Sequence, residues 1–235
     1  HETDYDCEII RNLIYKAKMC SRGTIDCFNL MEVGKYFESV DDFMNVEMVN
    51  KKFRGLTGRY RYNPIKLNDE RSRDMFSMIE TQHLYGEDDK VMKGGNIKRH
   101  VYWYKVSYGE YKKRRILDVY KCVEYTRNNR VRMRYGYSIP STVNILGYNC
   151  FRDCTTLSSI SIPSSISEIC RYCFCGCSHL SSLSIPSSVS VIGGACFSGC
   201  SSLSSITIPS TVSAICKGCL CGCSSLSTIS IPSSV

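Results

Sequence analysis

From Ile139 onward the apolar residues return every 23 positions. Ile-Pro stands at Ile139, Ile162, Ile185, Ile208 and Ile231, and each of these Ile residues is position 1 of a unit. Position 5 is then Val or Ile, 8 is Ile or Leu, 12 is Cys, 13 is Phe or Leu, 16 is Cys, 19 is Leu and 22 is Ile or Leu. One such unit cannot bury its apolar side alone, whereas units stacked in phase share a continuous core, so the pattern predicts a solenoid. The stretch Leu157 to Ile162 alternates, which predicts a short strand with Ile160 and Ile162 inward and Ser159 and Ser161 outward. Pro at position 2 has no N–H for a ladder and ends the strand. Ile166, Ile169, Cys173 and Phe174 then supply a returning, less regular side of the coil. Over the four units the outward positions are Ser159, Ser161, Ser182, Ser184, Ser205, Thr207, Thr228 and Ser230, and these are the expected partner-binding residues.

Ahead of the repeats the period becomes helical. Ile9, Ile10, Leu13, Ile14 and Ala17 share one side of a helix over residues 7–20. Phe43, Val46, Val49 and Phe53 recur at three- and four-residue steps, with Ser39 as N-cap and Asp42 as its acidic partner. Residues 79–85 and 100–106 are rich in aromatic and branched side chains and are expected as strands, read as degenerate first coils. Gly86 to Gly95 is a polar, turn-rich connection between them. The expected organisation is a helical segment over 1–75, basic and aromatic capping coils over 76–137, and repeats over 138–235. No linker precedes Ile139, so one continuous body is expected.

The formal net charge of +8 is local, because residues 93–134 hold 13 Lys and Arg against Glu110, Asp118 and Glu124. Residues 1–92 are net acidic. The basic stretch is interleaved with Tyr102, Trp103, Tyr104, Tyr108 and Tyr111, a mixture that suits nucleic acid or anionic lipid. Charge runs more often form solvated faces, and the acidic first part offers an internal partner, so neither ligand is the expected one.

Twelve of the 16 cysteines fall in the repeats and obey the period. That regularity points to a slot for a small, soft apolar side chain, so reduced thiols are expected ahead of interunit disulfides or metal. Cys170, Cys173, Cys175 and Cys177 do place four thiols within eight residues, and Cys216 to Cys223 repeat this. Zinc, however, needs four thiolates converging tetrahedrally, and neighbouring positions in a coil alternate in direction. No metal or cofactor is therefore expected. Position 9 alternates between Gly (Gly147, Gly193) and Cys (Cys170, Cys216), a 46-residue superperiod that reads as duplication of a two-unit block. His179, Asp153 and Glu168 are too sparse for paired acid–base work, and cysteines interchangeable by position do not suit a single nucleophile. An enzyme is not expected.

The units resemble the BspA-like leucine-rich repeat family over residues 139–235. They depart from the wider leucine-rich-repeat pattern in carrying Thr142, Ser165, Ser188 and Thr211 where an Asn ladder follows the strand. The resemblance implies an α+β fold: a right-handed leucine-rich-repeat solenoid of short parallel strands, preceded by a helical amino-terminal segment and used for protein recognition. Over residues 28–56 the order of helix, Asp-containing turn and apolar helix ending in Val49, Lys51, Lys52 and Phe53 resembles an F-box. Leu30-Met31 stands where most F-boxes open with Leu-Pro. That resemblance implies that Phe43, Val46, Val49 and Phe53 contact a Skp-type adaptor; the alternative is a helical cap on the solenoid.

The expected function is therefore a non-enzymatic protein-recognition module. A substrate adaptor of a ubiquitin ligase and a surface adhesin are the alternatives. No Asn-x-Ser/Thr acceptor site occurs, which favours the cytoplasm, with the cell surface as the alternative if a signal peptide precedes His1. The chain opens at His1 rather than Met and stops inside a fifth unit, so it reads as a fragment. Its open last strand is expected to template end-to-end self-association.

Overall fold

The computed structural model describes residues 27–49, 51–132 and 136–234, and the helical pattern over 7–20 lies outside them. The chain divides into two compact units, His1–Val101 and Tyr102–Val235.

In the first unit, helices α1 (Cys27–Val33), α2 (Val40–Val49) and α3 (Glu70–Met75) precede strand β1 (Thr81–Leu84). The Asp42 carboxylate accepts from the amides of Ser39 (3.0 Å) and Glu38 (3.2 Å) and from the Ser39 hydroxyl, so Ser39 starts α2 by donating. The core is aromatic. Phe37, Tyr60 and Phe76 pack edge-on to Phe43 with centroids 4.8, 5.8 and 5.2 Å away. Such pairs add about 0.5–1.5 kcal/mol each beyond the area they bury. The Tyr60 hydroxyl donates to the Met31 carbonyl at 3.0 Å, which lets a phenol sit in this core. Burial pushes its pKa up. The fully buried Asn63 amide is satisfied on both sides: Nδ2 donates to Ile65 O and His83 O, and Oδ1 accepts from His83 N.

Strand β2 (Arg99–Ser107) starts in the first unit and runs into the second. There α4 (Tyr108–Tyr111) follows, opened by a reciprocal capping box between Ser107 and Glu110, and then β3 (Val119–Tyr125) and α5 (Arg127–Arg132). Beyond them the repeats build two strand columns. Strands β4 (Ile145–Leu146), β5 (Glu168–Ile169) and β7 (Val191–Ile192) occupy positions 7 and 8. They pair in parallel with Leu146 opposite Ile169 and Ile169 opposite Ile192. Strand β3 joins this column, Glu124 facing Ile145, so it serves as the rung before the first repeat. Strands β6 (Ser182–Ser184), β8 (Ser205–Thr207) and β9 (Thr228–Ser230) occupy positions 21 to 23 and form the other column. Here Leu183, Ile206 and Ile229 stand in register. Both offsets are the 23 residues of the repeat. The returning side is thus a second parallel ladder rather than irregular chain. In the first repeat the expected strand contributes one bridge, Ser161 to Ser184.

Between the columns the side chains stack by kind. Phe151, Phe174 and Phe197 are fully buried and face-stacked, with centroids 5.2 and 5.7 Å apart. Cys150, Cys173 and Cys196 form a second fully buried file beside them. The corner after them is left-handed in every unit, with φ of 56° at Asp153 and 74°, 73° and 75° at Gly176, Gly199 and Gly222. Glycine recurs there because it alone takes that conformation without a Cβ penalty. The Gly193 half of the position-9 alternation also has a local cause. A Cβ on Gly193 would lie 2.3 Å from the Arg171 amide nitrogen of the preceding rung.

Candidate functional site

A hydroxyl face covers the β6–β8–β9 column. The strands project Leu183 and Ile206 inward, where they are 6% and 3% exposed, and this fixes every alternate residue outward. All eight outward residues named from the sequence are exposed. Register gathers seven of them into two rows, Ser182, Ser205 and Thr228 in one and Ser161, Ser184, Thr207 and Ser230 in the other. Neighbours within a row are set by the ladder spacing of about 4.8 Å.

Two other hydroxyl files are largely spent within the stack, although the buried Ser165 hydroxyl has no hydrogen-bond partner among the described residues. Ser204 Oγ donates to Ser181 O at 3.1 Å and Ser227 Oγ to Ser204 O at 3.2 Å, one rung back each time. Ser188 Oγ and Thr211 Oγ1 donate to Ile166 O and Val189 O at 2.7 and 2.6 Å. These two occupy the position that Asn takes in the wider leucine-rich-repeat pattern, and their hydroxyls bond the preceding coil. The side chains of the eight face residues, by contrast, make no hydrogen bond to any described residue. A face of unspent donors and acceptors, carried on a stiff ladder, can be matched by another polar surface.

The thiols do more than fill space. Cys177 Sγ donates to Phe151 O at 3.1 Å, and Cys200 and Cys223 repeat this to Phe174 O and Phe197 O at 3.2 Å. In the second to fourth repeats position 16 is therefore a donor file tying each coil to the one before it. Burial pushes the Cys177 and Cys200 thiols up to about 12, and burial with the Glu168 carboxylate does the same at Cys170. Such thiols keep their protons and are poor nucleophiles and poor ligands. The fourteen described cysteines are free thiols. Among the described residues no group of three or more His, Cys, Asp and Glu is placed to hold a metal ion.

Three of the side chains expected to meet an adaptor face inward, and that of Val49 lies outside those described. Phe43 is 0% and Val46 7% exposed within the first unit's own core, and Phe53 packs half-buried against that core. Phe43 and Val46 of α2 are thus spent on folding.

These features define a leucine-rich-repeat solenoid of short parallel strands, with most of its helices ahead of the repeats. Residues 135–235 match the family described as "BspA type Leucine rich repeat region", in six copies. The crystal structure of the T. pallidum Leucine Rich Repeat protein (TpLRR) is similar at 25% identity and a TM-score of 0.39. That match covers 56% of this chain and 57% of the other, so this chain spans less than two thirds of that protein. No curated protein matches the chain.

Proposed function

We propose that this protein is a non-enzymatic recognition module that binds a protein partner through the hydroxyl face of β6, β8 and β9. The observation that carries the reading is the contrast between serine files. Ser188 and Thr211 at position 4 and Ser204 and Ser227 at position 20 spend their hydroxyls inside the coil stack, while the two rows on the face keep theirs for a partner. The repeat family supports it, since such arrays present extended surfaces rather than reaction centres. The adaptor reading is not adopted, because Phe43 and Val46 would have to leave the core to meet an adaptor.

The test is site-specific photocrosslinking in the native cell. A crosslinker replaces Ser184 or Thr207 on the face, or Ser190 beside the other column. The expected outcome is one protein crosslinked from both face positions and not from Ser190. Equal labelling from all three positions would defeat the proposal.

A further inference from the structure

We propose that the turn between α4 and β3 docks this protein on an anionic membrane surface. The sequence shows a basic run here; what it does not show is the shape that the run takes. Asp118 N donates to Arg115 O at 3.2 Å and closes a tight turn whose two corner residues are Ile116 and Leu117. Turn corners normally carry Gly, Pro, Asn or Asp. Here two large aliphatic side chains stand 97% and 59% exposed. Lys112, Lys113, Arg114 and Arg115 lead directly into them, and none of these four cations forms an ion pair with a described residue. An apolar tip led by four cations matches a bilayer with anionic headgroups, the tip entering the headgroup–acyl boundary while the charges stay at the surface.

The base of the turn is held firmly. Tyr108 is buried, Tyr111 packs edge-on to Tyr120 at 5.6 Å, and the Arg114 guanidinium lies 3.9 Å over the Tyr111 ring. The same geometry disfavours nucleic acid. Bases stack on open aromatic faces, yet Tyr102 and Tyr120 are stacked on each other at 4.3 Å and Arg114 covers Tyr111. Aliphatic corners offer a base nothing.

The experiment is vesicle co-sedimentation at about 0.15 M salt, with vesicles of phosphatidylcholine alone or with about 30 mol % phosphatidylserine. Binding to the anionic vesicles and little binding to the neutral ones are expected. The double variant I116S/L117S should melt like the parent, because both side chains lie outside the core, and should lose at least about tenfold in affinity. The charge variant K112E/K113E should lose a similar factor. No binding to anionic vesicles, equal binding to neutral ones, or binding unchanged in I116S/L117S would each overturn the proposal. So would tight capture of a single-stranded RNA oligonucleotide by a protein that ignores the vesicles.

Discussion

Phe174→Ala removes the middle ring of the three-ring stack and reports directly on the core. Phe174 is fully buried and lies face to face with both neighbours, at 5.2 Å and 2° from Phe151 and at 5.7 Å and 12° from Phe197. Truncation leaves a ring-sized cavity with a coil fixed above and below it, each tied by parallel ladders that oppose collapse. A buried Phe→Ala change costs about 3–5 kcal/mol, and the loss of two stacked faces places this site toward the upper end. Against a typical domain stability of about 5–15 kcal/mol, that is a large fraction. In a urea titration followed by circular dichroism, with a slope of about 1–3 kcal/mol/M, the midpoint should fall by more than about 1 M at unchanged slope. Phe197→Ala should cost somewhat less, since Leu220 continues the file on its other side. A loss below about 1 kcal/mol for Phe174→Ala would refute the stacking argument and with it the phase assigned to position 13.

Two further predictions concern the thiols. Cys177→Ala leaves the Phe151 carbonyl without its donor and should cost about 1–3 kcal/mol, while Cys177→Ser keeps a donor and should lose less; equal losses in a denaturant titration would remove the hydrogen bond from the account. Because folding raises the Cys177 and Cys200 pKa values from 9.0 to about 12, the folded state holds protons that the unfolded chain gives up. Their stabilisation is full below about pH 9 and is lost as pH rises toward 12, by up to about 1.4 kcal/mol per pH unit for each thiol. Melting temperatures should therefore fall between about pH 8 and 10.5, and the C177A/C200A variant should fall less steeply; parallel profiles would contradict this.

The solenoid was legible because every buried or exposed position is stated four times over. Period, phase, the inward Leu183 and Ile206 and the outward hydroxyls all follow from alternation plus Pro at position 2. The position-16 cysteines were legible only as a packing slot. Their hydrogen bonds run to carbonyls 26 residues away, and a sequence pattern cannot display an acceptor that belongs to the backbone. The β4–β5–β7 ladder was missed because two-residue strands show no alternation. Upstream, where nothing repeats, the apolar stripe of α2 gave the helix and not its use. The same spacing of Phe43 and Val46 serves a core or a partner equally well. The Ile116–Leu117 turn broke the usual link between turns and polar residues, so the sequence gives no turn signal there.

The central claim is that the hydroxyl rows meet the partner, and the most direct measurement is the affinity of the partner found by crosslinking for two single variants. Thr207→Arg places a bulky charge in the middle of the face, and Ser190→Arg places the same group beside the other column. The account predicts that Thr207→Arg weakens binding by at least about tenfold, about 1.4 kcal/mol, while Ser190→Arg leaves it within about twofold, both proteins melting as the parent does. Equal affinities for the two variants, or a loss confined to Ser190→Arg, would contradict it.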